Sequence, residues 1–117
     1  TDSSGAATVY IQPGVGRGLN GFLIALKYTP GTIATGATLT ITGEDSGIPI
    51  MTKANAGTST VFYYPRAFPN AVTDGAAGTV PAQSIPIKND RIQVVVASGG
   101  SGGVGSIEAI LQVNSPY

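Results

Sequence analysis

The stretch Ala37-Thr38-Leu39-Thr40-Ile41-Thr42 alternates apolar and hydroxylated residues one by one. A period of two belongs to an extended strand, and it puts Ala37, Leu39 and Ile41 on one face and three threonines on the other. Threonine and isoleucine also suit the pleated backbone, where β-branched side chains pack well. The segment therefore reads as a strand with one dry face turned to a core and one polar face turned to water or a partner.

The same reading extends in both directions along the chain. Short runs with period-two character fall at 8–12, 19–28, 48–52, 60–64, 82–88, 91–97 and 105–113. In the run at 91–97, Ile92, Val94 and Val96 share a face, and in the last run Ile107, Ala109, Leu111 and Val113 do. Seventeen glycines and eight prolines punctuate the chain, and turn formers such as Thr29-Pro30-Gly31, Asp45-Ser46-Gly47, Asn55-Ala56-Gly57 and Asn89-Asp90 separate the runs. Residues 19–28 are the one helical competitor, since Leu, Ala and Lys favour helix. Ten residues with an internal glycine make a poor helix, whereas a strand buried on both faces reads as a nearly continuous apolar run. The pattern predicts an all-β fold, a jelly-roll-like β-sandwich of about eight short antiparallel strands. The longer stretch from Pro65 to Pro81 is expected to cross from one sheet to the other. At 117 residues the chain reads as a single domain over 1–117, with a radius of gyration of about 13 Å when compact. Residues 1–7 read as an N-terminal arm.

Composition removes several function classes. Cysteine, histidine and tryptophan are absent, which excludes disulfides, thiol nucleophiles, imidazole bases and the usual zinc ligands. Six basic and six acidic residues balance, and charged residues are 10% of the chain against about 25% in an average soluble domain. With 42% hydrophobic residues the chain should fold, and a surface so poor in charge is prone to associate. Arg17, Lys27, Lys53, Arg66, Lys88 and Arg91 are scattered singly, so the clustered charge that neutralises nucleic-acid phosphates is missing. No apolar run approaches the about 20 residues of a membrane span. The opening Thr1-Asp2-Ser3-Ser4 lacks the regions of a signal peptide and reads as a cytoplasmic product after loss of its Met. No nucleic acid, membrane, metal or cofactor is expected as a partner.

Two glycine motifs invite a chemical reading. Gly16-Arg17-Gly18-Leu19-Asn20-Gly21 matches G-x-G-x-x-G, with Glu44 at a distance suited to a ribose contact. The weak helical character of 19–28 and the threonine-faced strand argue instead for a flexible loop between strands. Gly100-Ser101-Gly102-Gly103-Val104-Gly105 matches again, but too little chain follows to complete a βαβ unit, and it reads as a mobile hairpin loop. The carboxylates Asp2, Glu44, Asp45, Asp74, Asp90 and Glu108 show no spacing that implies a shared site, and Glu44-Asp45 reads as part of a polar turn. The chain is not expected to be an enzyme.

Phe62-Tyr63-Tyr64-Pro65-Arg66-Ala67-Phe68 gathers four of the eight aromatics beside an arginine, the composition of interface anchors. By alternation Phe62 and Tyr64 share one face and Tyr63 takes the other. Tyr63 and Arg66 lead as interface candidates, with Tyr64, Phe68 and the terminal Thr1, Asp2, Ser3 and Ser4 beside them.

Four stretches carry a family resemblance: residues 18–28, residues 31–44, Tyr64-Pro65-Arg66-Ala67, and Asp90-Arg91-Ile92-Gln93-Val94-Val95-Val96-Ala97. Through them the chain resembles small virion proteins of tailed bacteriophages, of the capsid decoration or cement kind. The resemblance implies a jelly-roll or related sandwich on the outer surface of the head. It also implies the major capsid protein as partner, homo-oligomers with a trimer favoured, and a role in bridging capsid subunits. Recognition of a host glycan or protein, or a structural role in the tail or connector, is the alternative it leaves open.

Overall fold

The computed structural model of the chain describes residues 1–12 and 18–112. Its elements are eight strands: β1 (Ala7–Ile11), β2 (Leu19–Thr29), β3 (Thr38–Gly43), β4 (Pro49–Lys53), β5 (Val61–Tyr63), β6 (Ile85–Asp90), β7 (Ile92–Ala97) and β8 (Ser106–Gln112). Each falls on one of the alternating runs of the sequence. The end of the last run, Val113, lies outside the described residues.

The strands form two antiparallel sheets. Sheet A has the order β1-β7-β3-β4, and sheet B is built around β2, which pairs with β5, β6 and β8. The threonine strand β3 lies inside sheet A between β7 and β4, with Leu39 and Ile41 buried and Thr40 exposed, as its alternation requires. Ile92, Val94 and Val96 of β7 meet them from the neighbouring strand, and Leu23, Leu26, Tyr28, Ile85 and Ile87 of sheet B close the core from the other side. The architecture is therefore a sandwich of two four-stranded sheets, each wet on its outer face. Tyr28 is the polar member of this core. Its hydroxyl has no hydrogen-bond partner among the described residues, and burial raises its pKa, with a smaller push from Tyr63.

β2 explains why its sequence looked helical. Along β8 the register runs Leu23 opposite Leu111 and then Ala25 opposite Ile110, so Ile24 is an extra residue, a β-bulge. A single inserted residue reverses which parity faces inward. Before the bulge Leu23 points to the core and Phe22 outward; after it Leu26 and Tyr28 point inward and Lys27 outward. Two alternating half-strands of opposite phase add up to the continuous run Phe22-Leu23-Ile24-Ala25-Leu26.

Two connections differ from expectation. Residues 64–84 do not cross between sheets: β5 and β6 lie on the same side of β2, β6 beside Leu19–Leu23 and β5 beside Leu26–Tyr28. The chain leaves the sheet edge and returns to it. The glycine-rich segment at 98–105 is not a hairpin loop, because it leads from β7 in sheet A to β8 in sheet B. It is also well tethered. Ala34 N donates to Gly99 O, Thr32 N donates to Val104 O, and Gly99 N donates to Gly5 O, each at 2.8–2.9 Å.

The bulge yields a direct test. Ile24→Ala should lower stability by about 1 kcal/mol, the scale of strand propensity, and leave the cooperative thermal transition intact. Deleting Ile24 reverses the phase of Leu26 and Tyr28 and should abolish that transition; a deletion variant melting like the parent would show that the bulge sets nothing.

Candidate contact site

The aromatic cluster begins in β5, whose register with β2 decides which rings are free. Tyr63 pairs with the buried Leu26, and Phe62 pairs with Lys27. Tyr63 therefore points inward and packs against the core, and burial raises its pKa. As an interface anchor it is replaced by its neighbours: Phe62 is 48% exposed and Tyr64 64% exposed. Alternation separated these residues correctly, but three residues in isolation carry no sign of which face is dry. Only the pairing with β2 supplies it.

The outer face of sheet B extends this apolar surface beyond the cluster. Lys27 Nζ lies 5.9 Å from the centre of the Phe62 ring, which fixes both on one face. Glu108 sits opposite Lys27, and two residues on, Ile110 sits opposite Ala25, with Phe22 opposite Gln112 beyond the bulge. Phe22 and Ile110 are both exposed. Phe22, Phe62, Tyr64 and Ile110 thus give one side of the sandwich an apolar surface on which Lys27 and Glu108 stand across from each other and Lys88 of β6 adds a third, exposed charge opposite Asn20. Phe22 and Ile110 escaped the sequence reading because their outward direction depends on the bulge at Ile24. The outer face of sheet A differs. There Thr8, Thr40 and Thr52 align across the strands through Val95, and Tyr10 and Thr42 flank Gln93.

Arg66 works inside the fold. Its Nη1 donates to Ile24 O at 2.9 Å and to Pro65 O at 2.8 Å. On this side of β2, Ile24 falls between the residues paired with β6 and those paired with β5. The guanidinium therefore satisfies a carbonyl that no strand reaches. Arg66 also pins the root of the excursion that follows. Residues 67–83 are exposed throughout, yet they are ordered by their own contacts. Ala67 and Gln83 exchange backbone hydrogen bonds at 2.7 and 3.0 Å, and Gly78 N donates to Pro69 O at 2.8 Å. At the tip Ala71 N donates to Ala76 O and Asn70 Nδ2 donates to Gly75 O. Phe68 stands exposed near the base, Val72 at the tip and Val80 on the return. Asp74 is the single charged residue of this segment. The overall extents of 48 × 34 × 22 Å and radius of gyration of 15.3 Å fit a body with such a projection.

The terminal candidates form a clasp in place of an arm. The Asp2 carboxylate accepts from Ser4 N at 2.9 Å, Ser4 Oγ at 2.7 Å and Ala6 N at 3.0 Å. The Ser4 hydroxyl leads these bonds in holding its pKa below the usual carboxylate value. Thr1 N donates to Gly103 O at 2.6 Å, and the Thr1 hydroxyl donates to Gly100 O while accepting from Gly103 N. Gly5, at φ +84°, lies so close to Gly99 that a Cβ would sit 2.9 Å from its nitrogen. Ser3 is exposed. These residues lock the glycine-rich 98–105 segment from outside the sheets.

The nucleotide motif also resolves into packing. Gly16 and Arg17 lie outside the described residues. Leu19–Thr29 is a strand, so no helix N-terminus follows the glycines to receive a pyrophosphate. Gly18 is glycine because a Cβ there would sit 2.3 Å from the Asn89 carbonyl carbon. Glu44 forms a 2.5 Å ion pair with Arg91, whose guanidinium lies 3.8 Å over the Tyr10 ring. Glu44-Asp45 is part of a turn held from below by Asp90. The Asp90 carboxylate, buried at 6% exposure, accepts from Asp45 N, Ser46 N, Ser46 Oγ and Arg91 N. Burial opposes its charge, but these four donors outweigh that and lower its pKa.

Comparison with protein-family models, with curated proteins and with solved structures finds no match to this chain.

A carboxylate whose pKa is lowered by folding contributes stability above its unfolded value, and that contribution is lost as pH falls through the folded value. Asp90→Asn should therefore cost about 1–3 kcal/mol at pH 7. It should also flatten the fall in melting temperature between pH 5 and strong acid. An equally steep acid fall in the variant would remove Asp90 from that role.

Proposed function

We propose that this chain is a capsid decoration protein of a tailed-phage head, seated on the major capsid protein through the outer face of sheet B. The observation that carries the reading is the exposed apolar surface of Phe22, Phe62, Tyr64 and Ile110 on one side of a rigid sandwich. Aromatic and aliphatic groups gathered on one face mark a protein-contact surface, because water gains nothing from wetting them. The threonine and glutamine surface of sheet A suits the side left facing solvent. Low charge favours seating as well, since few ions lose their hydration when the face is covered. Weak contacts repeated over a capsid lattice add through multivalency.

The resemblance to virion cement proteins along residues 18–28, 31–44, 64–67 and 90–97 supports the same role. It brings with it a jelly-roll-like sandwich, a place on the outside of the head, and reinforcement of contacts between neighbouring capsid subunits. In this reading the function is the surface, with no turnover.

The test uses heads lacking the protein, to which purified chain is added back. Because Phe62 and Tyr64 are exposed, Phe62→Ser/Tyr64→Ser should fold normally. It should bind heads about 30-fold more weakly, the loss of about 2 kcal/mol expected of an aromatic hot spot. Thr40→Lys, on the opposite face, should bind as the parent does, and heads refilled with parent chain should resist heat and low salt better than bare heads. Undiminished binding by the double variant, or equal resistance of filled and bare heads, would refute the proposal.

A further inference from the structure

An edge strand offers a row of unpaired N–H and C=O groups, and proteins blunt such edges with short length, proline or lysine. β4 opens with Pro49 and ends with Lys53. β5 is three residues long and β1 five, and β6 carries Pro86 and Lys88. β8 has none of these protections. Its seven residues, Ser106-Ile107-Glu108-Ala109-Ile110-Leu111-Gln112, hold no proline, glycine or lysine, and among the described residues they pair with β2 alone. The inward side chains show the same openness: Ile107, Ala109 and Leu111 pack against the core yet are only half-buried.

The strand that would complete this edge is another extended backbone, and β8 itself has the matching pattern. From either end it reads as a polar residue, Ser106 or Gln112, then an aliphatic one, Ile107 or Leu111, with Ala109 at the centre. An antiparallel copy centred on Ala109 therefore sets Ile107 against Leu111 of the second copy, and alanine against alanine. The two Glu108 carboxylates stay apart, each facing Ile110 of the other copy, and each is already met in its own chain by Lys27 across the ladder. Centring on Glu108 would set the carboxylates face to face, which is destabilising. With zero net charge, the copies do not repel each other at a distance.

We infer that β8 of one copy pairs antiparallel with β8 of a second copy, joining the two B sheets into one across a two-fold axis at Ala109. The contact is isologous and adds a strand to an open sheet edge. It is a two-fold pair where the family resemblance implies a trimer. Residues directly opposite each other share a face, so the outer faces of both B sheets lie on one side of the dimer. The inference does not rest on capsid docking, and its test needs no heads.

By light scattering the purified parent should have twice the 11.7 kDa mass of one chain. Ile110 is exposed, so its variants should stay folded by circular dichroism. Ile110→Glu sets two pairs of like charges across the axis and should weaken dimerisation about 30-fold. Ile110→Lys sets lysine against Glu108 twice and should dimerise as well as the parent. The chain has no cysteine, so introduced thiols report contacts without background. Ala109→Cys should form a disulfide-linked dimer under mild oxidation, and Ser106→Cys, about 20 Å from its copy in this register, should form none. A monomeric parent, equal weakening by Ile110→Glu and Ile110→Lys, or an Ala109→Cys variant that stays uncross-linked would each overturn the inference.

Discussion

Sheet B hangs on one residue too many in one strand. Every strand of that sheet is hydrogen-bonded to β2, and Ile24 is bulged where β2 runs along β8. Without the extra residue, either Leu23 or the pair Leu26 and Tyr28 would face water, and the core would lose one or two of the five buried side chains that Leu23, Leu26, Tyr28, Ile85 and Ile87 supply from this sheet. On the other side of β2, β6 takes the residues before Ile24 and β5 takes those after it. The Ile24 carbonyl left between them is capped by Arg66. The projection grows out of that gap, with the arginine that seals the sheet also anchoring its base. Core phase, outer apolar face and projection are thus three outcomes of the same local irregularity.

Much of this was visible in the chain of residues, and the limits are instructive. Strands with one wet face declared themselves, as in Thr38–Gly43 and Ile92–Ala97, because alternation is a local property. The bulge was hidden, since two half-strands of opposite phase look like one continuous apolar segment. Tyr63 was mistaken for a free ring for a related reason: its direction is fixed by Leu26 across the ladder, far away in sequence. Arg66 looked like an anchor for a partner because its actual acceptor is a carbonyl 42 residues earlier. The glycine-rich 98–105 segment looked loose by composition, yet glycine also permits backbones to approach closely. Thr1, Gly5 and Ala34 exploit that closeness to pin it.

The two outer faces give the sandwich a direction. One side shows aligned threonines with Tyr10 and Gln93, the other Phe22, Phe62, Tyr64 and Ile110. A chain this poor in charge has little electrostatic means to orient itself on a partner, so shape and apolar area must do so. The buried and paired charges mostly hold the fold: Asp90 holds the turn after β3 and Arg66 completes sheet B, while Glu44 and Arg91 pair over Tyr10 on the outer side of sheet A. What remains outside is a contact body with a front and a back.

Hydroxyl-radical footprinting of the chain on assembled heads, compared with the free chain, tests that polarity most directly. Both faces carry reactive aromatic residues, so each is the other's control. Phe62, Tyr64 and Phe22 should lose reactivity on the head while Tyr10 keeps it. Protection of Tyr10 with Phe62 and Tyr64 still reactive would mean that the opposite face is the one that docks.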